Sequence, residues 1–363
     1  MKIGIITKTG KNYGAVLQAF ALKRKLCNMG HEAHIIKFIS KSSKNSYKVC
    51  KYKWGLNGSK ANIKAATRFL QYKRGTERFY NFRNEYFDFL GEYSNDKEIE
   101  SNPPKCDIYI SGSDQVWNPK ISFDRSFYCC FAEKYPDSVK AAYAASIGLS
   151  EIPQEFYSEF KSRVKKFDYI SVREKQAVSI LEKMGINSQT APDPTFLLGK
   201  EEWSSFSEHT VKEPYILTYF VSYPKGIEKT VKRFQEQLGL NVVNLMTSEE
   251  SSGVGDIKIR NAGPKEFLGL FENASFVITS SFHGTAFSLI NKKPFVATLY
   301  KSTSSRVTEL LDYFDLSDRI IGPSNENISP YCNLNVFGES HDLKLKALRE
   351  DGSRILKSIL EVR

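Results

Sequence analysis

The sequence predicts an α/β protein made of two successive parallel-sheet halves, and three observations predict it. At 363 residues the chain exceeds the size at which one hydrophobic core usually keeps growing. Short apolar runs alternate with stretches of helical spacing along most of its length. Each half opens in the order strand, turn or loop, helix, strand: KIGIIT to HEAHIIKF at the start, and PYILTYFV to NVVNLM beyond residue 212.

Taken in order, KIGIIT is a short apolar strand that enters the Gly-containing turn TKTGKNYG. AVLQAFALKRKLCNMG then shows helical spacing with Gly30 as its stop signal, and HEAHIIKF returns as a strand. Such a β-α-β unit requires a right-handed crossover and a parallel sheet, which makes this half Rossmann-like, although the dinucleotide fingerprint G-x-G-x-x-G is absent. A basic stretch follows to about residue 100, with helix expected around Ile63 to Leu90. DIYISGSDQVWNP reads as a buried strand, Ile108 to Ile110, breaking at Ser111 into a polar loop that displays Asp114 and Trp117. VKAAYAASIG is a strand and loop, 153–168 a helix, DYISVRE a strand, KQAVSILEKMG a helix closed by Gly185, and TAPDPTFLL ends the half. The second series continues through a helix at 225–238, a loop with Gly253 and Gly255, a helix at 264–273, and FVITSS leading into FHGTAFSLINKKPFVATL. The expected domains are therefore 1–200 and 213–340, with a helix in 341–363, patterned from Leu343 to Leu360, packing back on the first.

A hydrophobic share of 41% suits a soluble globular protein; no stretch is apolar enough to span a bilayer and no signal peptide is expected, so the cytoplasm is the expected location. Six cysteines, at 27, 50, 106, 129, 130 and 332, show no C-x-x-C pair and suggest neither a disulfide framework nor a zinc site. The net charge of +11 is informative in its placement. Residues 41–83 hold twelve Lys or Arg and one acid, Glu77, while the remainder carries forty of each sign. Tyr47, Tyr52, Trp54, Phe69, Tyr72, Phe79, Tyr80 and Phe82 are interleaved. This mixture suits an anionic membrane surface, nucleic acid or a lipid-linked diphosphate, set against a solvated face over ordinary aromatic packing.

The sharpest chemical signal is SSFHGTAFSLI, residues 280–290, where a strand ends in two serines, an aromatic, a histidine and a glycine before a helix. His283 at a helix N-terminus, flanked by Ser280, Ser281, Gly284 and Thr285, suits a phosphate or carboxylate, which the small residues let approach the backbone. Arg173 in ISVRE follows a strand, so its guanidinium fork can meet a carboxylate or phosphate; the plainer alternative is a pair with Glu174 or a neighbour. Asp114 is either a base for a hydroxyl or a turn-capping side chain. His31, His34, Asp168, Asp193 and Asp256 form no metal-ligand pattern, and there is no P-loop, G-x-S-x-G or Cys-His-Asn arrangement, so no metal is expected.

Seven stretches in order resemble the polysaccharide pyruvyl transferase family: NYGAVLQAFAL (12–22), SGSDQVWNP (111–119), AASIG (144–148), SVRE (171–174), DPTFLL (193–198), SSFHG (280–284) and SSRVTELLDYFDLSDR (304–319). Singly weak, their ordered combination is specific. The resemblance implies a GT-B-like fold, two Rossmann-like domains facing across a cleft, and transfer of a pyruvyl group from phosphoenolpyruvate onto two sugar hydroxyls as a ketal. The product would belong to a bacterial surface polysaccharide such as a capsule or exopolysaccharide. It implies donor binding by Arg173, Ser281, His283, Gly284, Thr285 and Arg306, and acceptor contacts from Asn12, Tyr13, Asp114 and Gln115. His283, Arg173 and Asp114 would be the catalytic residues, with phosphoenolpyruvate as co-substrate and no further cofactor. The acceptor is expected to be a glycan on a lipid diphosphate, with residues 41–83 on the acceptor side drawing the protein to the anionic inner face of the membrane. Replacing His283 or Arg173 by Ala is expected to abolish transfer and spare the fold. The alternatives are a GT-B glycosyltransferase using a nucleotide sugar and a non-catalytic nucleic-acid-binding protein; no recognised nucleic-acid module supports the second, so nucleic acid is not an expected partner.

Overall fold

All strands of the computed structural model, which describes residues 1–39, 59–299 and 304–362, fall into two parallel sheets, one in each of two compact units. The first unit takes β1 (Lys2–Ile6), β2 (Glu32–Phe38), β3 (Phe89–Tyr93), β4 (Ile108–Ser111), β5 (Val139–Ala145), β6 (Tyr169–Val172) and β7 (Gln189–Thr190), in the order β3-β2-β1-β4-β5-β6-β7. Its central strands are buried on both faces, as a parallel sheet flanked by helices demands. Helix α1 (Tyr13–Asn28) is apolar through most of its circumference and correspondingly buried. Its N-cap, Asn12, accepts from the Ala15 N–H at 3.1 Å.

The second unit holds β8 (Tyr215–Tyr219), β9 (Asn241–Leu245), β10 (Ile257–Ile259), β11 (Phe276–Thr279), β12 (Phe295–Thr298) and β13 (Ile320–Ile321), ordered β10-β9-β8-β11-β12-β13. Phe234, Phe276, Val231, Ile278 and Val296 are among the side chains that fill its core.

The chain divides less simply than its order suggests. Helix α2 (Ser59–Tyr86) contributes its residues 59–79 to the second unit, although they lie in the first half of the sequence, and 80–86 to the first. Arg78 explains the attachment: its Nη1 donates to the Asn261 carbonyl at 2.9 Å and its Nε pairs with the buried Glu266 at 2.7 Å. The described part of the basic segment therefore groups mainly with the second unit and not with the acceptor-side half; residues 41–58 lie outside the described residues. The long C-terminal helix (Glu339–Leu360) likewise has 347–360 in the first unit and its earlier residues in the second, and the division between halves falls at Leu198 and Gly199. The short strands β3, β7, β10 and β13 were not foreseen. The expected helix to Leu90 stops at Tyr86 because Asp88 turns left-handed, φ 49°, and β3 begins at Phe89. β10 lies beyond Gly255, whose φ of 81° makes the turn into it. The cysteines at 27, 106, 129, 130 and 332 are free thiols.

Gly269 illustrates how tightly the second unit is packed. It lies inside the helix Pro264–Asn273, yet an added Cβ would stand 2.2 Å from the Glu208 carbonyl oxygen, a backbone atom that cannot swing aside. Alanine would gain about 1 kcal/mol of helix propensity, while overpacking costs about 1–3 kcal/mol and more against backbone. We expect Gly269→Ala to lower the urea midpoint; a raised midpoint would show that the helix can shift without cost.

Candidate functional site

In an open parallel sheet, ligands collect at the carboxyl ends of strands, in the crevice where neighbouring strands send their connections in opposite directions. In the first unit that crevice lies between β1, which leads toward β2, and β4, which leads toward β5. Thr7, just past β1, donates its hydroxyl to the Ser113 carbonyl at 2.7 Å and accepts from the buried Gln18 amide at 3.0 Å. Lys8 Nζ donates to the Gln115 carbonyl at 2.8 Å. The two strand ends are thereby tied together by side chains from TKTGK, the first helix and SGSDQ.

Asp114 sits in this loop with φ 73°, a left-handed conformation that Asp tolerates better than most residues. Its Oδ1 accepts from the Gln115 N–H at 2.8 Å, and its carbonyl accepts from Val116 and Ser146. Its carboxylate attracts both Lys8 and Arg173. Gln115 packs against Gly148, where an added Cβ would meet its amide nitrogen at 2.3 Å.

Arg173 follows β6, two strands beyond β4, and is almost entirely buried. Its Nη1 donates to Asp193 Oδ2 at 2.9 Å and its Nε lies 3.5 Å from Glu174 Oε1. Burial works against the guanidinium charge, but Glu174, Asp193 and Asp114 outweigh it and leave the Arg173 pKa raised. Asp193, fully enclosed, also accepts from Ser113 at 3.3 Å and from the backbone and hydroxyl of Thr195 at 3.0 and 2.8 Å. Ser146 donates to Glu174. Four of the stretches singled out in the sequence, 111–119, 144–148, 171–174 and 193–198, thus converge on one buried charge network. The sequence marked those stretches and offered Glu174 as a partner for Arg173, but gave Ser146 and Asp193 no role, because their partnerships exist only across strands. Lys8 was missed as well; the signal for it was two lysines in a strand-to-helix turn.

In the second unit the crevice lies between β8 and β11. Thr279 and Ser280, where β11 ends, donate to the carbonyls of Tyr219 and Ser222, each at 2.7 Å. Ser281 caps the following helix (Phe282–Ile290), its hydroxyl accepting from the Gly284 N–H at 3.3 Å. Gly284 is required there, since a Cβ would fall 2.2 Å from Thr279 Oγ1. His283, the second residue of the helix, is 9% exposed and meets Phe282 edge-on, centroids 5.2 Å apart. Thr285 turns its hydroxyl back to the Ser281 carbonyl at 3.1 Å. Arg306, half-buried, lies in the first turn of the helix Ser304–Tyr313, which packs against the His283 helix.

The structure therefore gathers Asn12, Tyr13, Asp114 and Gln115 at the strand-end crevice of the first unit, with Asn12 exposed and Tyr13 buried as the first residue of α1. Ser281, His283, Gly284 and Thr285 stand at the crevice of the second. Arg173 is the exception, since its guanidinium lies off the β1/β4 crevice with two carboxylates beside it. Among the described residues no group of His, Cys, Asp and Glu is arranged to hold a metal ion, and no helix is long and apolar enough to cross a membrane.

The sequence model of the family described as polysaccharide pyruvyl transferase matches residues 12–302. Among curated proteins none matches the chain by sequence. Solved structures similar to it include the UDP-GlcNAc 2-epimerase of Methanocaldococcus jannaschii, at TM-score 0.55 and 14% identity over 99% of this chain and 100% of that one. Another is the UDP-N-acetylglucosamine 2-epimerase of Rickettsia bellii, at TM-score 0.51 and 10% identity over 100% and 95%. A third is AviGT4, a glycosyltransferase involved in avilamycin A biosynthesis, at TM-score 0.53 and 12% identity over 100% and 98%. At such identities the likeness shows the fold, which is the GT-B-like α/β architecture.

The enclosure of Arg173 revises the expectation that alanine there spares the fold. Removing the guanidinium leaves Asp193 and Glu174 buried without their counter-charge, at a cost of about 3–5 kcal/mol. We expect Arg173→Ala to lose stability on that scale by chemical denaturation, and Arg173→Ala with Asp193→Ala to lose less than the two single changes summed. Wild-type stability in Arg173→Ala would remove the network from the fold's support.

Proposed function

The chain belongs to the polysaccharide pyruvyl transferase family, and from that premise we propose that it moves a pyruvyl group from phosphoenolpyruvate onto two hydroxyls of a glycan as a ketal. The observation that carries the reading is His283, held by the Ser281 cap and the Gly284 contact at the N-terminal turn of its helix, beside the strand-end crevice of the second unit. A helix N-terminus favours an anion, and an imidazole beside it can bond or protonate one.

The chemistry proceeds in balanced steps. A proton adds to the enol methylene, giving oxocarbenium character at C2, and a sugar hydroxyl attacks there as it gives up its own proton. The C2–O bond to phosphate breaks, phosphate leaves with the electron pair, and a second hydroxyl closes the ketal with loss of its proton. His283 takes the phosphate and supplies a proton, Asp114 accepts from the acceptor hydroxyl, and the helix N-terminus stabilises charge on the departing group. Arg173 serves the donor only by sharing its five N–H donors with Asp193 and Glu174, so its part is to hold the donor's carboxylate or phosphate beside a partly neutralised charge.

Thermal stability separates this reading from a nucleotide-sugar glycosyltransferase. A ligand that binds the native state at a hundredfold excess over its dissociation constant adds about 2.7 kcal/mol. We expect phosphoenolpyruvate to raise the melting temperature, UDP-sugars not to, and His283→Ala to lose the response while keeping its unliganded melting temperature. Stabilisation by a nucleotide sugar alone would put the glycosyltransferase in its place.

The acceptor in this reading is a glycan on a membrane lipid diphosphate, approached by a protein that acts at the inner face of the membrane. The charge of residues 41–83 supports it, as do Phe69 and Leu70, exposed on α2 beside the exposed Lys73 and Arg74. We expect co-sedimentation with vesicles of anionic lipid that falls as salt rises. Binding that ignores salt, or none, would detach the basic segment from any membrane role.

A further inference from the structure

The turn TKTGK places two lysines at the end of β1, and the chemistry above uses neither. Lys8 crosses the β1/β4 crevice to reach the Gln115 carbonyl at 2.8 Å. An ammonium has three donors, and among the described residues this is the one hydrogen bond that Lys8 makes through it. The side chain is half-buried, so the charge is partly stripped of water.

The one other charge in the turn has the same sign. Lys11 is also half-buried, and α1 begins two residues later, at Tyr13, with no acid in its first turn, so the positive end of the helix dipole stands over the same crevice. Burial lowers the pKa of both lysines; the attraction of Asp114 and Asp124 for Lys8 only partly offsets it. A bound anion would relieve that desolvation. The contrast with Arg173 is instructive. Its guanidinium already faces Asp193 and Glu174, whereas Lys8 touches a neutral carbonyl, with the carboxylate of Asp114 close enough to act on it through its field.

We propose that Lys8 is a substrate-contacting residue whose ammonium holds a phosphate group at the β1/β4 crevice of the first unit. What that phosphate belongs to rests on the pyruvyl-transfer reading, in which His283 takes the donor's phosphate: it is part of the diphosphate carried by a lipid-linked acceptor. Asp114, in the same loop, is thereby placed to meet a hydroxyl of the substrate that Lys8 holds.

Competitive acylation tests it on the intact protein. A limiting amine-acylating reagent is applied at constant ionic strength with no addition, with phosphoenolpyruvate or with inorganic pyrophosphate. Modification at Lys8 is read by peptide mass spectrometry against the exposed Lys97 and Lys120. We expect pyrophosphate to slow acylation of Lys8 about tenfold at ten times its dissociation constant, leaving the two reference lysines unchanged. Protection by pyrophosphate and not by phosphoenolpyruvate supports the acceptor diphosphate at Lys8, whereas protection by phosphoenolpyruvate would put the donor's phosphate there and overturn it. Protection by neither overturns the proposal. The melting temperature of the wild type with phosphoenolpyruvate judges the donor reading separately, so either idea can fail without the other. Lys8→Met should abolish the protecting anion's thermal response with an unchanged unliganded melting temperature, and Lys8→Arg should retain it; an undiminished response in Lys8→Met also overturns the proposal.

Discussion

Both sheets are wholly parallel, and most of the molecule's organisation descends from that constraint. Parallel strands need a crossover between each pair, so helices cover the faces and the carboxyl ends share one edge of the sheet. The loops at that edge are released from pairing and free to carry polar side chains. The strand orders then fix where, along the edge, two connections part. It is at these places that Thr7, Lys8, Asp114 and Gln115 meet in one unit and that Thr279, Ser281 and His283 meet in the other. The hydrogen bonds from Thr7 to Ser113 and from Thr279 to Tyr219 show the same device used twice, a threonine hydroxyl tying the two strands that flank the crevice.

Beside this edge the first unit buries an arginine between two carboxylates. Such an arrangement is expensive to desolvate and contributes geometry more than stability. Here it locks the ends of β4, β5 and β6 and the Asp193 turn to one another through Ser113, Ser146, Arg173 and Asp193. Ser171 adds a further tie: its hydroxyl accepts from Ala144, whose φ of 49° interrupts β5, and donates to the Ala142 carbonyl. The irregularity at Ala144 lies just before Ser146, which reaches Glu174. A functional role for Arg173 and a structural one are thus compatible, but a loss of activity in a variant at this position reports on both.

The two long helices that bridge the division of the chain show why sequence order is a poor guide to domain membership. Arg78 reaches the buried Glu266 and the Asn261 carbonyl, and Gly75 lets the α2 backbone lie where a Cβ would stand 3.2 Å from the Arg260 carbonyl. At the other end of the chain Gly352 packs against Leu197 and Tyr143 in the first unit, while His341, in the first turn of the same helix, bonds the Leu289 carbonyl in the second. Each attachment depends on one glycine or polar side chain at a position that no periodicity marks.

Local chemistry was enough to read the alternation of strand and helix, the stop signals at Gly30 and Gly185, the placement of His283 at a helix start and the ordered motifs that carry the family resemblance. Apolar period, turn residues and caps act over a few positions, and so they are written in a few positions. The strand orders, the insertion of β4 beside β1, the capture of residues 59–79 by the second unit and the meeting of Arg173 with Asp193 belong to tertiary structure alone. Lys8 and Gln115 are separated by 107 residues, and their hydrogen bond exists because β1 and β4 pair in register, Ile6 beside Ser111. Such pairing is decided by which apolar faces can be buried together across the whole unit, a global balance that no single stretch of sequence contains.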